Sequence, residues 1–372
     1  LKKVIISVTN DIVNDQRVLR TAATLGKNGW EVVLVGRHNQ DGLPHYWIPH
    51  KVVRFRMLFK KGPLFYAFFN IRLCLYLLLN SCHLLWANDL DTLLANFLAS
   101  RWSNRPMVYD SHEYFTEVPE LVERKKTQWV WKRIEGIIFP RIKYVITISD
   151  SIAQSYENRY GVPVLVVRNF THPFVVEDKE TEVFRFGGKK IILYQGTLNR
   201  NRGLEPMIRS MSYIPNAELV IVGNGPEKAS LVELIRNLEL DHRIFLIPKM
   251  LPYRLQQLTP MADLGLSIEE DIGLNYQYAL PNKLFDYIYA RVPVLVSSLP
   301  EMRYIVQQYG IGWVLESHEP TKIAAQVNRI LSDLDREKYT MKKNLEKAAM
   351  EMNWEQEEKK LLAFVDSIYL KS

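Results

Sequence analysis

The chain has 372 residues, 47% hydrophobic and 24% charged, too long for one ordinary core and too apolar for a disordered chain, so two domains are expected. Its 48 Lys and Arg against 41 Asp and Glu leave a net charge of +7, which favours anionic partners such as nucleotides or a lipid head-group surface, while the dense basic stripe that nucleic-acid binding needs is missing. Only Cys74 and Cys82 occur, which argues against a disulfide framework or a cysteine zinc site and fits a reducing, cytoplasmic setting.

In chain order, LKKVIISVTN reads as a strand rather than a signal peptide, because its apolar run is short and leads into a loop. That loop, SVTNDIVNDQRVLR, offers Asn10, Asp11, Asn14, Asp15 and Arg17, which either line a crevice or serve as a polar loop and helix cap. After the strand EVVLVG come Arg54, Arg56, Lys60 and Lys61, then PLFYAFFNIRLCLYLLL from Pro63 to Leu79. This run is shorter than the roughly 20 residues of a membrane span, and Asn70 and Arg72 interrupt it. It is expected to form an amphipathic helix. The stretch 54–80 either seats on an anionic membrane surface or is a core helix with a basic flank, and the core helix is favoured.

HLLWA is the next strand and ends near Asn88, where ANDLDTL sets Asp89 two residues before Asp91. Two carboxylates can hold Mg²⁺ or Mn²⁺ on a diphosphate. A helix, TLLANFLAS, follows at once, so Asp91 is read instead as its N-cap. MVYDSHEYFTEVPE places Asp110, His112 and Glu113 at a strand's carboxyl end. Thr116 breaks the H-E-x-x-H metalloprotease pattern. His112 either bonds a sugar hydroxyl and steadies transition-state charge, or is a structural cap. YVITIS and VLVVRN complete the strands of this half.

The stretch 171–190, THPFVVEDKETEVFRFGGKK, combines a proline, a charge run and Gly-Gly with little periodic apolar content, so the junction is placed there. Residues 1–172 form one domain, 173–350 a second, and 351–372 a closing helix. In the second half the strand IILYQG leads into TLNRNRGLEP. Gly196 lets the backbone approach a ligand, and Arg200 and Arg202 precede a helix starting at Gly203 or Leu204. Arginine in that place suits a phosphate. ELVIVGNGP sets Gly223 and Gly225 after a strand, where they admit a ring or phosphate or simply make a tight turn. RIFLIP and LGLSI follow. In LPNKLFDYIYARVPVLVSS, Lys283 and Asp286 share one face of a helix that Pro281 and Asn282 open. They are either an anion-binding pair beside free amides or two solvated charges on a capped helix. NWEQEEKKLLAFVDSIYLKS is one more amphipathic helix. Val- and Ile-rich runs separated by helix-length segments imply α/β architecture: parallel sheets covered on both faces, in two Rossmann-like domains that bind ligands at strand carboxyl ends.

Taken together, YQGTLNRNRGLEPM, ELVIVGNGP, ADLGLSI and LPNKLFDYIYARVPVLVSS resemble the retaining GT-B glycosyltransferases of the nucleotide-sugar-dependent group 1 family. SVTNDIVNDQRVLRTAATLGKNGWEVVLVGR and YDSHEYFTEVPEL are similar to the same family's N-terminal domain, so the resemblance covers nearly the whole chain. It implies two Rossmann-like domains facing a cleft, the nucleotide mainly on the second, and a terminal helix that returns to the first. It also implies transfer of a sugar from a UDP- or GDP-linked donor to a hydroxyl of a growing glycan or lipid-linked acceptor, with retained configuration. The nucleotide-sugar is then a substrate, no cofactor is needed, and the diphosphate is neutralised without metal. A leaving-phosphate oxygen takes the acceptor's proton.

By the same resemblance, Arg202 stands where the family has a diphosphate-binding lysine before a glycine, here Gly203. Thr197 stands where many members carry an arginine, and Arg200 is its substitute. Asp286 matches the second glutamate of E-x7-E, which binds ribose hydroxyls, whereas Tyr278 occupies the first position. Lys283, with the helix amides at Asn282, takes over the phosphate, and His112 matches the histidine at the donor sugar. His112, Arg202 and Lys283 are thus the expected catalytic residues. Gly196, Thr197, Arg200, Gly223, Gly225, Asn282 and Asp286 are expected to bind the donor. Asn14, Asp15, Arg17, Asn88, Asp89 and Glu113 are assigned to the acceptor side or cleft. Arg291 replaces a glycine common before the V-P-V strand. The rival expectations are an epimerase of the same fold and, because the first glutamate is lost, a nucleotide-sugar-binding protein without catalysis.

Overall fold

Runs of valine and isoleucine that leave no polar face become the inner strands of two parallel sheets. The structure, a computed structural model, describes residues 1–38, 48–170 and 188–370. The chain divides into one unit of Leu1–Asn169 with Glu357–Ser372, and another of Phe170–Gln356. The expected junction lies mostly outside the described residues.

The first unit contains β1 (Lys2–Ser7), β2 (Trp30–Arg37), β3 (Lys51–Phe55), β4 (Leu84–Asn88), β5 (Met107–Ser111), β6 (Tyr144–Thr147) and β7 (Val164–Val166). They pair in parallel in the order β3-β2-β1-β4-β5-β6-β7. Its helices are α1 (Gln16–Lys27), α2 (Pro63–Leu79), α3 (Leu90–Ser103), α4 (Pro119–Val122), α5 (Lys125–Ile138) and α6 (Asp150–Tyr160). Strand β4 is buried along its whole length, as expected for an inner strand with both faces covered. Strand β3, at one edge of the sheet, went unread in the sequence because it is half-exposed and its short apolar run is flanked by Lys51 and Arg54.

The second unit contains β8 (Lys190–Gln195), β9 (Ala217–Val222), β10 (Ile244–Ile247), β11 (Leu264–Ser267), β12 (Val294–Val296) and β13 (Gly312–Val314), ordered β10-β9-β8-β11-β12-β13. Its helices are α7 (Leu204–Ser210), α8 (Lys228–Asn237), α9 (Pro252–Leu258), α10 (Leu274–Gln277), α11 (Asn282–Tyr289), α12 (Pro300–Tyr309) and the long α13 (Pro320–Glu351). Strand β13, three residues at the other edge, also carried no readable pattern. The last helix, α14 (Trp354–Leu370), belongs to the first unit from Glu357 onward. There Glu357 accepts from the Arg168 amide at 2.8 Å, Glu358 from the Thr24 hydroxyl at 3.1 Å, and the Tyr369 hydroxyl donates to the His83 carbonyl at 3.0 Å.

One helix differs from its expected pattern. Helix α2 has the expected bounds but is not amphipathic: Phe65, Phe69, Leu73 and Leu77 are buried, while Leu64, Ile71, Leu75 and Leu79 face outward.

In each sheet the strand order reverses once, between β1 and β4 and between β8 and β11. At such a reversal the connections leave in opposite directions, opening a crevice beyond the strands' carboxyl ends.

Candidate functional site

In the second unit the reversal lies beside Gln195, where β8 ends, and Ser267, where β11 ends. Helix α11 is fastened there by Tyr287, whose buried hydroxyl donates to the Leu193 carbonyl at 2.9 Å and accepts from the Gln195 amide at 3.2 Å. Its ring lies so close to Gly265 that any Cβ there would collide with it. This close packing drives the first turn of α11 into the strand ends and buries Lys283, only 8% exposed. The alternative of two solvated charges is thereby removed for Lys283.

The Lys283 ammonium donates to Oε1 of Glu269 at 2.7 Å and lies over the Tyr194 ring at 4.0 Å. Arg202 reaches the same oxygen at 3.4 Å and lies over the Tyr276 ring at 5.2 Å. Glu269 is 2% exposed, and its other oxygen accepts from the Ser267 hydroxyl at 3.0 Å. Burial pushes its carboxyl up, but Lys283 and Arg202 overcome that and hold it below the usual range. For Arg202, burial works against the charge, and Glu269 more than restores it. Two cations therefore meet one carboxylate, and Arg202 Nε is buried without a hydrogen-bond partner among the described residues. Such a centre has capacity for a further anion.

The loop carrying Arg202 is held by backbone. Asn201 has φ 61° and its carbonyl accepts from the Glu270 amide at 2.9 Å. Gly203 has φ 70°, and a Cβ there would stand 2.1 Å from the Ile268 carbonyl oxygen. Only glycine fits both the turn and the approach to β11. Gly196, exposed at φ 139°, leaves its would-be Cβ 3.9 Å from the Lys283 ammonium, so a side chain there would cover it.

Other expected donor residues are placed differently. At Gly223 and Gly225 the missing Cβ positions are filled by the Gly196 and Leu198 carbonyl oxygens at 1.9 and 2.3 Å, so on that side their lack of a side chain admits backbone. They let the two loops pack. Arg200 is 83% exposed and pairs with Glu227 at 3.2 Å rather than with Glu269. It lines a surface hollow together with Arg202, Glu205, Arg209 and Glu227. Thr197 is exposed, and its carbonyl accepts from the Tyr194 hydroxyl. Asp286 accepts from Gln195 Nε2 at 2.8 Å, and Gln195 Oε1 accepts from the Thr259 hydroxyl at 2.9 Å, a chain that orients the half-buried carboxylate. Asn282 is exposed at the start of α11. Arg291 has φ 61°, and its guanidinium donates to the Ile288 and Tyr289 carbonyls at 3.0 and 2.9 Å, capping the end of α11.

In the first unit the reversal gathers the ends of β1, β4 and β5. His112 Nε2 lies 3.0 Å from Asn88 Oδ1, and the Asn88 amide nitrogen donates to the Ser7 carbonyl. Nε2 therefore carries a proton. Nδ1 faces Asp89 at 3.6 Å and Asp15 at 3.8 Å, and Nε2 also faces Asp110 at 3.7 Å. Burial opposes the charge on His112, but Asp89, Asp110 and Asp15 reverse this and raise its pKa to about 9, so it is an imidazolium near neutrality.

Arg17 is not available to a ligand. It is 3% exposed, grips Asp110 through two nitrogens at 2.6 and 3.0 Å, and donates to the Val167 carbonyl at 2.7 Å. Asp15 caps α1 by accepting from the Val18 amide. Asp91 is not the N-cap of α3: Asp89 occupies that position, and Asp91 lies in the first turn, accepting from the Thr9 hydroxyl. Asp89 turns away from the helix to accept from the His112 amide at 2.8 Å, so the two carboxylates serve different partners. Burial pushes both carboxyls up, Asp91 to about 7. Glu113 is half-buried, and the Asn14 side chain lies outside the described residues.

Glu269, Asn88 as a histidine partner and Asp110 as its anchor are the residues that sequence reading did not place. Glu269 lies just after LGLSI, so the weight given to strand ends was the available signal.

The description "Glycosyl transferases group 1" matches residues 175–351, and "Glycosyltransferase Family 4" matches residues 16–173. An uncharacterized glycosyltransferase of Methanocaldococcus jannaschii is 29% identical over 206 residues, 51% of each chain. The chain spans about half the length of the curated relatives it matches. Among solved structures, sucrose-phosphate synthase from Thermosynechococcus elongatus superposes with a TM-score of 0.82 at 17% identity, covering 100% of both chains. Anabaena HepE in complex with UDP gives 0.76 at 15% identity, over 99% of this chain and 100% of that one. These structures share the two-sheet GT-B fold.

Proposed function

Because the chain belongs to the group 1 glycosyltransferases, we propose that it transfers a sugar, with retention and without metal, from a UDP- or GDP-linked donor to a hydroxyl of a glycan or lipid-linked acceptor. The observation that carries this reading is the convergence of Arg202 and Lys283 on Glu269 Oε1 at the strand reversal of the second unit.

Breaking the bond to the donor sugar leaves negative charge on a diphosphate, and preorganised cations aimed at that charge lower the barrier. Lys283 has three N–H bonds and spends one on Glu269; Arg202 retains a buried Nε–H. Both can turn these donors on a diphosphate reaching them over the bare backbone of Gly196. Asp286, oriented by Gln195 and Thr259, accepts from ribose hydroxyls. His112 of the first unit, as an imidazolium, is a fixed charge and hydrogen-bond donor and does not serve as a general base. A leaving-phosphate oxygen takes the acceptor proton. The UDP complex of Anabaena HepE supports a uridine nucleotide as the first donor to test.

Thermal-shift measurements with UDP, GDP and their sugars, followed by product analysis with and without an acceptor, test this. Stabilisation by a nucleoside diphosphate with acceptor-dependent transfer is the expected result. Conversion of the donor alone would identify an epimerase, and binding without turnover a non-catalytic binding protein. No stabilisation by any nucleotide would reject the site.

A further inference from the structure

The outward face of α2 is apolar where a surface helix should be polar. Leu64, Ile71, Leu75 and Leu79 are 60, 59, 54 and 83% exposed, and steps of seven, four and four residues keep them on one side. Leu58, 75% exposed, precedes the helix. Single exposed leucines are ordinary, but a row of them along one helix marks an interaction surface.

The charge in this stretch of chain has one sign, although Arg54 is paired with Asp11 from outside it at 3.0 Å. From Lys51 to Asn88 the chain carries six Lys and Arg and no Asp or Glu. Lys60 and Lys61 are exposed immediately before the helix, whose N-cap, Gly62, makes no side-chain cap bond, and its first turn has no acidic residue. Cations at a helix N-terminus oppose its dipole, so this arrangement costs the isolated helix some stability and favours an anionic partner. A second copy of the chain is a poor one. A two-fold contact through this face would bring it against itself, with no carboxylate in the segment to match Lys60 and Lys61. No described helix is long and apolar enough to cross a membrane, and α2 has 17 residues.

We propose that α2 lies in the plane of an anionic lipid surface, with Leu64, Ile71, Leu75 and Leu79 among the acyl chains and Lys60 and Lys61 at the head groups. This concerns where the enzyme sits and needs no assumption about its donor.

Flotation of the full chain with vesicles of phosphatidylcholine, alone or mixed with phosphatidylglycerol, tests it. The chain is expected to float with the mixed vesicles and not with the neutral ones. Ile71→Glu with Leu75→Glu should abolish binding. Lys60→Glu with Lys61→Glu should weaken it more than tenfold, since each cation near such a surface contributes roughly fivefold. All four side chains are exposed, so circular dichroism and thermal unfolding should match the parent and show that a loss is not misfolding. Equal binding to both vesicle types, no binding to either, or full binding by the Ile71→Glu, Leu75→Glu chain overturns the proposal. So does a dimer that this double substitution converts to monomer without any vesicle binding in the parent.

Discussion

Arg202 and Lys283 meet at one atom, Oε1 of Glu269, at 3.4 and 2.7 Å. Two cations brought this close repel, and burial raises the cost, so the carboxylate between them is what makes the arrangement stable. Glu269 thus orients both side chains before any ligand arrives. On the proposed function, a diphosphate would find them already placed and meet little ordering cost on binding.

Removing either cation should lower turnover, and removing the buried Lys283 should also lower stability because Glu269 then keeps only Arg202. Arg202→Ala and Lys283→Ala are each expected to lower kcat at least tenfold, about 1.4 kcal/mol of barrier. Steady-state kinetics with the donor found by thermal shift provide the check, and near-normal rates in both variants would reject the assignment.

Glu269→Gln leaves a buried lysine and an arginine without their counter-charge. Breaking a buried pair from one side costs about 3 kcal/mol or more, so the melting temperature should fall. A nucleoside diphosphate would restore negative charge in the same place, so saturating nucleotide should raise the melting temperature of Glu269→Gln further than that of the parent. Equal shifts would show that the nucleotide does not reach these cations.

The first unit should lose stability as the solution becomes alkaline. His112 has a folded pKa of about 9 against an ordinary 6.5, so the folded chain holds a proton that the unfolded chain releases. The associated stabilisation is complete below pH 6.5 and disappears as pH rises through about 9. Asp91, raised to about 7 by burial, acts in the same direction over a lower range, from its unfolded pKa up to about 7. Asp110 acts oppositely: burial raises it, but Arg17 and His112 hold it well below the usual range, so its contribution is lost only in strong acid. An NMR titration of the His112 ring should show a midpoint near 9. A midpoint near 6.5 would mean that the carboxylates do not hold the proton.

Gly203→Ala combines an unfavourable backbone angle with a collision. The left-handed conformation alone costs a side-chain-bearing residue about 1–2 kcal/mol, and the added Cβ would lie 2.1 Å from Ile268 O. Gly62→Ala, at φ 79° with nothing within 4 Å, isolates the backbone cost. Denaturant unfolding should find Gly203→Ala clearly the more destabilised. Equal losses would show that the loop has room to move.

Local chemistry explains what could be read from the chain. Buried parallel strands favour unbroken β-branched runs, so VIISV, EVVLVG and ELVIVG announced themselves, and HLLWA did so as a short unbroken apolar run. The helix Pro63–Leu79 was legible to its end residues because Pro63 starts it and its apolar run stops at Asn80. Two of the four described edge strands escaped notice, since KVVRF is interrupted by charge and GWV is too short to show a period, whereas VLVVRN and RIFLIP kept enough apolar residues to be read. His112 drew attention because it directly follows a strand, and Arg202 and Lys283 because each stands at the start of a helix.

Sequence by itself determined the elements and which residues stand at strand ends, because both follow from the periodicity of side chains along a single segment. Tertiary structure decided the partners. Glu269 lies 67 residues from Arg202 and 14 from Lys283, and Arg17 lies 93 from Asp110. A buried charge is balanced by whichever group the sheet order brings alongside it. That order assigned Arg17 to Asp110 inside the first unit, filled the space at Gly223 and Gly225 with backbone, and left the apolar outer side of α2 exposed.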